Sequence, residues 1–321
     1  MKRLLLLVLM LIAVAFSGCT EKGPNVADKS AGELKTLSIA AAENLTCYSI
    51  KSFVTQILKL DSGANATTKM LTTITENAET VSVVNLSSLE AYINRSTKNQ
   101  MEIQGQLVNA SSSSFDIYQV GNSTYRKDEG VDWIHLKDPR SSEEIWGQGK
   151  NNQVKALANA FNYSKLEDAG SEAINGEDAY KFKITILSEE YNDLYNTALN
   201  VAAVLVEYPM RMPSVNRTEL NKTGMIEKWI WISKKNYLPV KYQNIISFQM
   251  TPEVIGNLDL KTGQMVPLNQ SEQLGEVSVQ IEISDMYYDF DKPADITPPE
   301  QALFAQVITP TQIQTQAAMQ A

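Results

Sequence analysis

The side chains that carry most enzyme chemistry are scarce in this sequence. Its 321 residues include one histidine, His135, and two cysteines, Cys19 and Cys47. This inventory excludes any site that needs two imidazoles, disulfide-rich scaffolds, and zinc or iron–sulfur sites built from several cysteines. His135 lies in the strand-like segment Trp133–Leu136, which favours a half-exposed strand residue over a catalytic base. We predict that the protein is not an enzyme, and we predict no metal site and no cofactor.

Three short motifs resemble catalytic or ion-binding sequences but lack the partners those sequences need. Lys261-Thr262-Gly263 matches the K-T-G of penicillin-binding enzymes, but S-x-x-K is absent, so we interpret Asp259–Gly263 as a hairpin turn. Gly147–Lys150 lacks the spacing of a P-loop. Hydrolysis by a pair of carboxylates stays open, because acidic residues are plentiful and the sequence does not give their separation. Four aspartates follow no EF-hand spacing and indicate a solvated acidic strand end: Asp285, Asp289, Asp291 and Asp295.

Cys19 is the residue for which the sequence predicts a definite modification. A basic pair precedes an uncharged apolar run, Leu4–Phe16, which is too short to span ~30 Å of hydrocarbon and suits a signal peptide. The run ends in Phe16-Ser17-Gly18-Cys19, which resembles a lipobox, where the cysteine thiol carries a diacylglyceryl-type lipid. We predict a signal peptide over 1–18 and lipid attachment at Cys19. The alternatives are an ordinary cleaved signal, an uncleaved anchor, and a disulfide with Cys47.

Ten N-x-S/T triplets predict a second modification, N-glycosylation. Chance would give about three or four in a chain of this composition, so the excess favours a glycosylated, outward-facing protein. Incidental triplets in Asn-, Ser- and Thr-rich turns are the alternative. Together with the lipobox, the triplets indicate a surface lipoprotein of archaeal type. The candidate acceptors are Asn44, Asn65, Asn85, Asn94, Asn109, Asn122, Asn162, Asn216, Asn221 and Asn269.

Composition and charge narrow the possible partners. The chain has 28 Lys and Arg against 37 Asp and Glu, for a formal charge of −9. Nucleic-acid binding needs a basic surplus, so we predict no nucleic-acid partner. Hydrophobic residues make up 43% of the chain, which is enough for a folded core.

Hydrophobic periodicity predicts a sheet-rich chain interrupted by a few helices. Spacings of three and four predict helices over about Ala31–Tyr48, Ser141–Tyr163 and Ser188–Tyr208, with a short helix at Glu300–Val307. The strand-like segments have no helical crossovers between them, which favours an antiparallel meander. They are Ser52–Leu60, several short runs within Thr80–Leu136, Ala179–Leu187, two strands within Met225–Met250 joined at Ser233–Pro239, and Val277–Ile283.

The same survey predicts the domain organisation. Residues 19–30 are polar, with Gly23 and Pro24, and suit a flexible tether. We predict one β-rich domain over 31–297, because no Pro- or Gly-rich linker divides it, followed by a short helix and a loose tail over 298–321.

Three local stretches carry a resemblance to a known group of proteins. Val120–Leu136 has a Tyr strand and a Trp strand around an acidic-Gly turn, Ile174–Ile184 has an Asn-Gly strand entry, and Trp229–Tyr242 reads WIWISKKNYLPVKY. These stretches, with Tyr288–Pro299 as closing strand and Pro-rich exit, resemble the LolA / LppX–LprG superfamily of lipid-carrying periplasmic proteins and lipoproteins. The resemblance covers most of residues 31–300, although this chain is longer than typical carriers.

The resemblance implies an α+β fold, in which a large curved antiparallel sheet forms a half-open barrel with helices packed on its concave face. An apolar pocket between sheet and helices would hold acyl chains, because a wide sheet cannot fill its own concavity. The candidate lining residues are Trp229, Trp231, Ile281 and Ile283; the sequence does not decide which face of the Trp strand points inward.

The resulting hypothesis is a lipoprotein anchored by Cys19 to the outer face of the cytoplasmic membrane, or at the cell surface. It would bind or carry a lipid or another hydrophobic ligand. A surface structural or adhesion module, with the concavity filled by side chains, is the alternative.

Overall fold

A twelve-stranded sheet dominates the molecule, with a second, three-stranded sheet beside it. The computed structural model describes residues 29–61, 70–147, 151–186, 191–205, 213–258, 265–267 and 275–308. The strands are β1 (Cys47–Asp61), β2 (Leu71–Asn85), β3 (Glu90–Ile103), β4 (Gln106–Val120), β5 (Ser123–Asp128), β6 (Ile134–Lys137), β7 (Leu166–Ile174), β8 (Glu177–Ile184), β9 (Pro213–Val215), β10 (Met225–Ser233), β11 (Pro239–Met250), β12 (Ile255–Leu258), β13 (Met265–Pro267), β14 (Val277–Tyr288) and β15 (Val307–Ile308).

Strand order shows an open sheet that is antiparallel at every pairing but one. The order is β15-β6-β5-β4-β3-β2-β1-β14-β11-β10-β8-β7, and the edge strands β15 and β7 do not pair with each other. Only β15 runs parallel to its neighbour, β6. The predicted fold class, a large antiparallel sheet with helices on one face, is confirmed. Pairing of β15 joins residues beyond 297 to the sheet, and the predicted domain boundary stays a prediction.

Polar side chains cap the starts of the first three helices, which are shorter than periodicity predicted. Ser30 and Glu33 form a capping box at the first helix, and Ser141 and Glu144 form one at the second. Asn152 accepts a hydrogen bond from the Lys155 backbone at the third. The helices are α1 (Ala31–Glu43), α2 (Ser142–Trp146), α3 (Gln153–Tyr163), α4 (Tyr191–Leu205), α5 (Arg217–Thr223) and α6 (Glu300–Leu303).

Three helix predictions need correction. The predicted helix Glu300–Val307 ends at Leu303, and Val307 belongs to β15. The first predicted helix reaches Tyr48, but α1 ends at Glu43 and Cys47 already opens β1. Asn44 ends the helix, since its side-chain amide donates to the Ala40 carbonyl. The second predicted helix is two helices, because the backbone of Gly147 is extended after α2. Periodicity alone could not detect either break, since the apolar spacing continues across both.

The large sheet has two different faces. Successive side chains of β10 point to one face and then to the other, and we name the faces from this strand. Ile230 and Ile232 point to the face on which helices pack, here called the helix face. Trp229 and Trp231 point to the other, here called the open face. The register between β10 and β11 shifts after Trp231, and the pairing is regular before it.

Two groups of helices cover opposite ends of the helix face. One group packs α1, α2 and α3 on the sheet, and Tyr48 links them, because its hydroxyl accepts from the Gln153 backbone at 3.0 Å and donates to the Asn151 carbonyl at 3.2 Å. The other group packs α4 on β10, β11 and β14. Buried side chains of α4 that touch this second cluster are Leu194, Ala198, Val201 and Ala202. In the part of the chain that the structure describes, no helix combines the length and apolarity needed to cross a membrane.

Candidate functional site

A band of partly buried side chains lies between the two helix-covered clusters on the helix face. It crosses β1, β14 and β11 midway along their length. We call this surface the central band, and its residues are Ser52, Val54, Asn244, Ile281, Ile283 and Asp285.

Strand register brings the central band together from three distant parts of the sequence. Val54 pairs with Ile283, and Ile283 pairs on its other side with Asn244. Ser52 pairs with Asp285 in the next row. Because directly opposed residues in antiparallel strands lie on one face about 5 Å apart, the six side chains form one continuous surface.

The apolar members of the central band are less covered than their neighbours on the same strands. Val54, Ile281 and Ile283 are only partly buried. Ile50, two rows along β1, is 4% exposed, and Val279 on β14 is 1% exposed, because helices cover them. Partly open aliphatic side chains inside a sheet–helix layer can contact an apolar ligand.

Asp285 gives the central band a polar side. The hydroxyls of Ser52 and Tyr287 hydrogen-bond to its carboxylate. Burial raises the pKa of Asp285, and these two hydrogen bonds oppose the rise. Burial is also the main cause that raises the pKa of Tyr287, and the nearby Asp285 charge adds to it. The carboxylate and its hydroxyl partners therefore form a semi-buried polar network beside Ile283.

Asn244 adds a second polar group, and this one is incompletely bonded. Its Oδ1 atom is buried and has no hydrogen-bond partner among the described residues. Asn244 pairs with Ile283 of β14 and with Lys228 of β10. An unpaired polar atom in such a setting is uncommon in folded proteins and calls for a partner.

Lys228 connects this part of the sheet to α4. The lysine is 8% exposed, and its Nζ lies 3.4 Å from Oδ2 of Asp193 in the first turn of α4. The pair ties one end of the helix to the helix face and balances the buried ammonium charge.

The four residues predicted to line a cavity lie on both faces. Ile281 and Ile283 belong to the central band. Trp229 and Trp231 lie on the open face, on the far side of the sheet from α1, α3 and α4. The structure thus brings the two isoleucines together and separates them from the two tryptophans by the thickness of the sheet.

Lysines cover the two tryptophans on the open face. Lys181 Nζ lies 5.1 Å from the ring centroids of both Trp229 and Trp231, and Lys241 Nζ lies 4.4 Å from that of Trp231. Glu172 accepts hydrogen bonds from Lys181 Nζ at 2.9 Å and Trp231 Nε1 at 3.0 Å. These two bonds lower the pKa of Glu172.

A pocket of about 400 Å³ lies elsewhere, where the β7–β8 and β10–β11 turns meet the end of β14. None of the four predicted cavity residues lines it. Its charged groups are partly satisfied within the protein: Lys292 Nζ is 2.5 Å from Asp289 Oδ1, and Glu177 accepts from the Ser233 hydroxyl. The lining residues are Ile174, Asn175, Glu177, Lys235, Asn236, Val240, Tyr287, Tyr288, Asp289, Phe290 and Lys292.

The predicted modification sites differ in their surroundings. Cys19, Asn65 and Asn269 lie outside the described residues. Among the other candidate asparagines, three are exposed and five are partly buried. The exposed ones are Asn44, Asn109 and Asn221. The partly buried ones are Asn85, Asn94, Asn122, Asn162 and Asn216.

Several of the partly buried asparagines are engaged in the fold. The side-chain amides of Asn85, Asn94 and Asn122 donate to Ala294, Asp116 and Asp138. The side chain of Asn216 caps α5. Cys47 is buried, and its thiol donates to the Lys292 carbonyl.

The acidic strand end bonds locally. Asp291 accepts from the backbone and the hydroxyl of Thr46, both at 2.8 Å, and Asp295 accepts from Thr297. Within the described ranges, no group of three or more His, Cys, Asp or Glu side chains is arranged to hold a metal ion.

Sequence reasoning missed the polar half of the central band. Ser52, Asn244 and Asp285 lie on the same face of their strands as buried core residues. A polar residue at a core position of an alternating strand was the available signal. It becomes informative only when the strand register is known.

Comparisons with known proteins give likenesses of fold. No family model matches the chain, and no curated protein matches it. Similar solved structures include LprF from Mycobacterium bovis, with 11% identity over 84% of this chain and 96% of that chain and a TM-score of 0.36. The Mycobacterium tuberculosis lipoprotein LppX has 13% identity over 84% of this chain and 100% of that chain, with a TM-score of 0.35.

A domain from Vibrio parahaemolyticus, described as an outer membrane lipoprotein-sorting protein domain, is also similar. It shows 9% identity over 82% of this chain and 93% of that chain, with a TM-score of 0.18.

Proposed function

We propose that the protein binds an amphipathic, lipid-like ligand on the central band, between the sheet and its helices. The observation that carries this proposal is that helices cover the two ends of the helix face but leave the residues between them partly open. Apolar clusters at both ends are buried under helices, whereas Val54, Ile281 and Ile283 between them are partly open. Burying ~100 Å² of apolar surface is worth about 2.5 kcal/mol, so an acyl chain on this floor would bind favourably.

The mixed polarity of the central band favours an amphipathic ligand over a plain hydrocarbon. Ser52, Asn244 and Asp285 lie beside the aliphatic residues on the same face. Ligand sites commonly combine an apolar lining with a few polar groups that fix orientation. An alkyl chain can contact the isoleucines while a polar end reaches these groups.

A charge placed on the floor of the central band tests the proposal. In Ile283→Asp the new carboxylate would have to be desolvated under the ligand, so we expect binding of a fluorescent fatty-acid analogue to fall by at least tenfold. Ser284→Asp is the matched control, because the adjacent residue on β14 points to the open face. Equal loss in both variants, or no binding by the unmodified protein, would reject the proposal.

We further propose that Cys19 carries the lipid anchor and holds the protein on the outer face of the membrane. The lipobox-like Phe16–Cys19 supports this proposal. Cys19→Ala should move the protein from the membrane fraction to the soluble fraction. Retention of this variant in the membrane would contradict lipid attachment.

For glycosylation, we propose that Asn44, Asn109 and Asn221 are preferred acceptors. Their side chains are exposed, whereas those of Asn85 and Asn94 are partly buried. Mass spectrometry of glycopeptides from the native protein tests whether these three asparagines are the preferred acceptors. Bare peptides at all three exposed sites would reject it.

A further inference from the structure

We propose that Asn244 selects a ligand whose polar end carries uncharged hydroxyl groups, such as a polyol or glycerol head. This inference rests on the proposed function and specifies the chemistry of the ligand. The juxtaposition that supports it is an unpaired amide oxygen next to the aliphatic floor of the central band.

The position of Asn244 suits a contact with the polar end of a ligand. Its register partner on β14 is Ile283, which belongs to the aliphatic floor. One row further along β11, Ile246 is buried in the cluster under α4. The amide therefore lies at the border between the covered core and the central band, where an acyl chain on Ile283 would place its head.

The hydrogen-bonding capacity of Asn244 is unused at one atom. Its Oδ1 accepts no hydrogen bond from the described residues and is shielded from solvent, and such a group is destabilising until it finds a partner. A ligand hydroxyl both donates and accepts, so it can satisfy the amide in either orientation of the side chain. A methyl ester offers no donor to this atom.

The surrounding charges disfavour an anionic head. On the neighbouring strands, the charged side chains of the helix face are Lys228 and Asp285, and Asp193 of α4 lies 3.4 Å from Lys228. The Lys228 ammonium is paired with the Asp193 carboxylate, and the Asp285 carboxylate lies on β14 beside the aliphatic floor. A carboxylate or phosphate head would meet the Asp285 charge, whereas a neutral hydroxyl would not.

A ligand series with one acyl chain and three heads tests the inference. Mono-oleoylglycerol has hydroxyl donors, methyl oleate has none, and oleate is anionic. We expect the full chain to bind mono-oleoylglycerol about tenfold more tightly than either of the others, the factor that one added hydrogen bond provides. Asn244→Leu should remove this preference.

The outcomes separate the two proposals. Equal affinity of the unmodified protein for all three ligands, or tightest binding of oleate, would overturn the role of Asn244 and leave lipid binding standing. Absence of binding for all three would overturn both. If circular dichroism shows that Asn244→Leu does not fold, the ligand series on the unmodified protein tests the inference. Asn244→Gln keeps the amide and should retain the preference for mono-oleoylglycerol.

Discussion

The two faces of strand β10 carry similar sequences and are buried by different means. On the helix face Ile230 and Ile232 are fully covered by helices. On the open face Trp231 is 2% exposed although no described helix packs there, since lysine side chains and the neighbours of its own sheet cover it. Burial of an aromatic residue in a strand therefore does not identify the face that holds the core or the ligand.

The physical difference lies in the kind of cover. Long lysine side chains can lay their methylenes on a ring and keep the ammonium in water, and the charge is attracted to the ring face. Helices instead cover the sheet with apolar side chains, and the sheet stays partly open where two helices do not meet. The helix face consequently has a central band, and the open face has a lysine–tryptophan layer.

Ile230→Ala should give the largest effect and tests the helix cover. The side chain is 0% exposed, so its truncation leaves a cavity, and we expect a loss of about 3 kcal/mol in the free energy of unfolding. Urea denaturation measures it. Ile283→Ala makes the same change on the same face within the central band, and we expect about 1 kcal/mol there. Equal losses would show that the central band is as well packed as the core.

Lys181→Met tests the cover of the open face. Methionine keeps most of the aliphatic length and removes the charge over Trp229 and Trp231 as well as the ion pair with Glu172. We expect a loss of about 1 kcal/mol by urea denaturation, since cation–π contacts at partly exposed sites are of this size. The exposed Lys98 of β3 provides the control, Lys98→Met, which should be neutral. A neutral Lys181→Met would mean that the lysine charge contributes nothing to the open face.

Asp285→Asn tests the polar side of the central band through pH. Burial raises the pKa of Asp285, so the folded protein binds this proton more tightly than the unfolded chain does. The native state is therefore relatively favoured below the ordinary value of 3.8, and this advantage is lost as pH rises through the raised pKa.

Relative to the unmodified protein, Asp285→Asn should be more stable at neutral pH than near pH 3, because the variant has no charge to desolvate. Thermal denaturation of both proteins across this pH range measures the difference. Burial raises the pKa values of Tyr48 and Tyr287, so both hydroxyls stay neutral over the range and do not obscure it. A pH-independent difference would show that the carboxylate is fully solvated.

His135 gives the smallest and most local test, on the open face at β6. Burial and the nearby Lys137 charge lower the pKa of this histidine below 6.5. Its contribution to stability is thus present above pH 6.5 and decreases as pH falls, because the unfolded chain takes up the proton first. Being the single histidine, it gives one imidazole signal in an NMR titration. A midpoint at or above 6.5 would contradict burial of the ring beside Tyr125.

Much of the fold followed from local patterns. The turn around Ser233–Pro239 and the strict alternation from Val277 predicted β10, β11 and β14 with the correct type and near-correct limits. Strand β7 was missed, because Leu166–Ile174 is mostly polar and exposed as an edge strand. The helix limits failed at Asn44 and Gly147, where one capping residue outweighs a continuing apolar period.

The sequence predicted only part of the candidate site. Ile281 and Ile283 could be proposed because alternation marks one apolar face of β14. The tryptophans looked equally suitable, since both faces of β10 are apolar in sequence. Nothing local distinguishes a ring that faces helices from a ring that faces lysines.

The sequence by itself determined the alternating strands, the capped helices, the scarcity of catalytic side chains and the lipobox-like cysteine, because each depends on residues close together in the chain. Only the tertiary structure decided which face of each strand the helices cover and where their cover stops. Ser52, Asn244 and Ile283 are far apart in sequence, and long-range strand register alone makes them neighbours. The central band is therefore a property of strand pairing and helix placement, which no local pattern encodes.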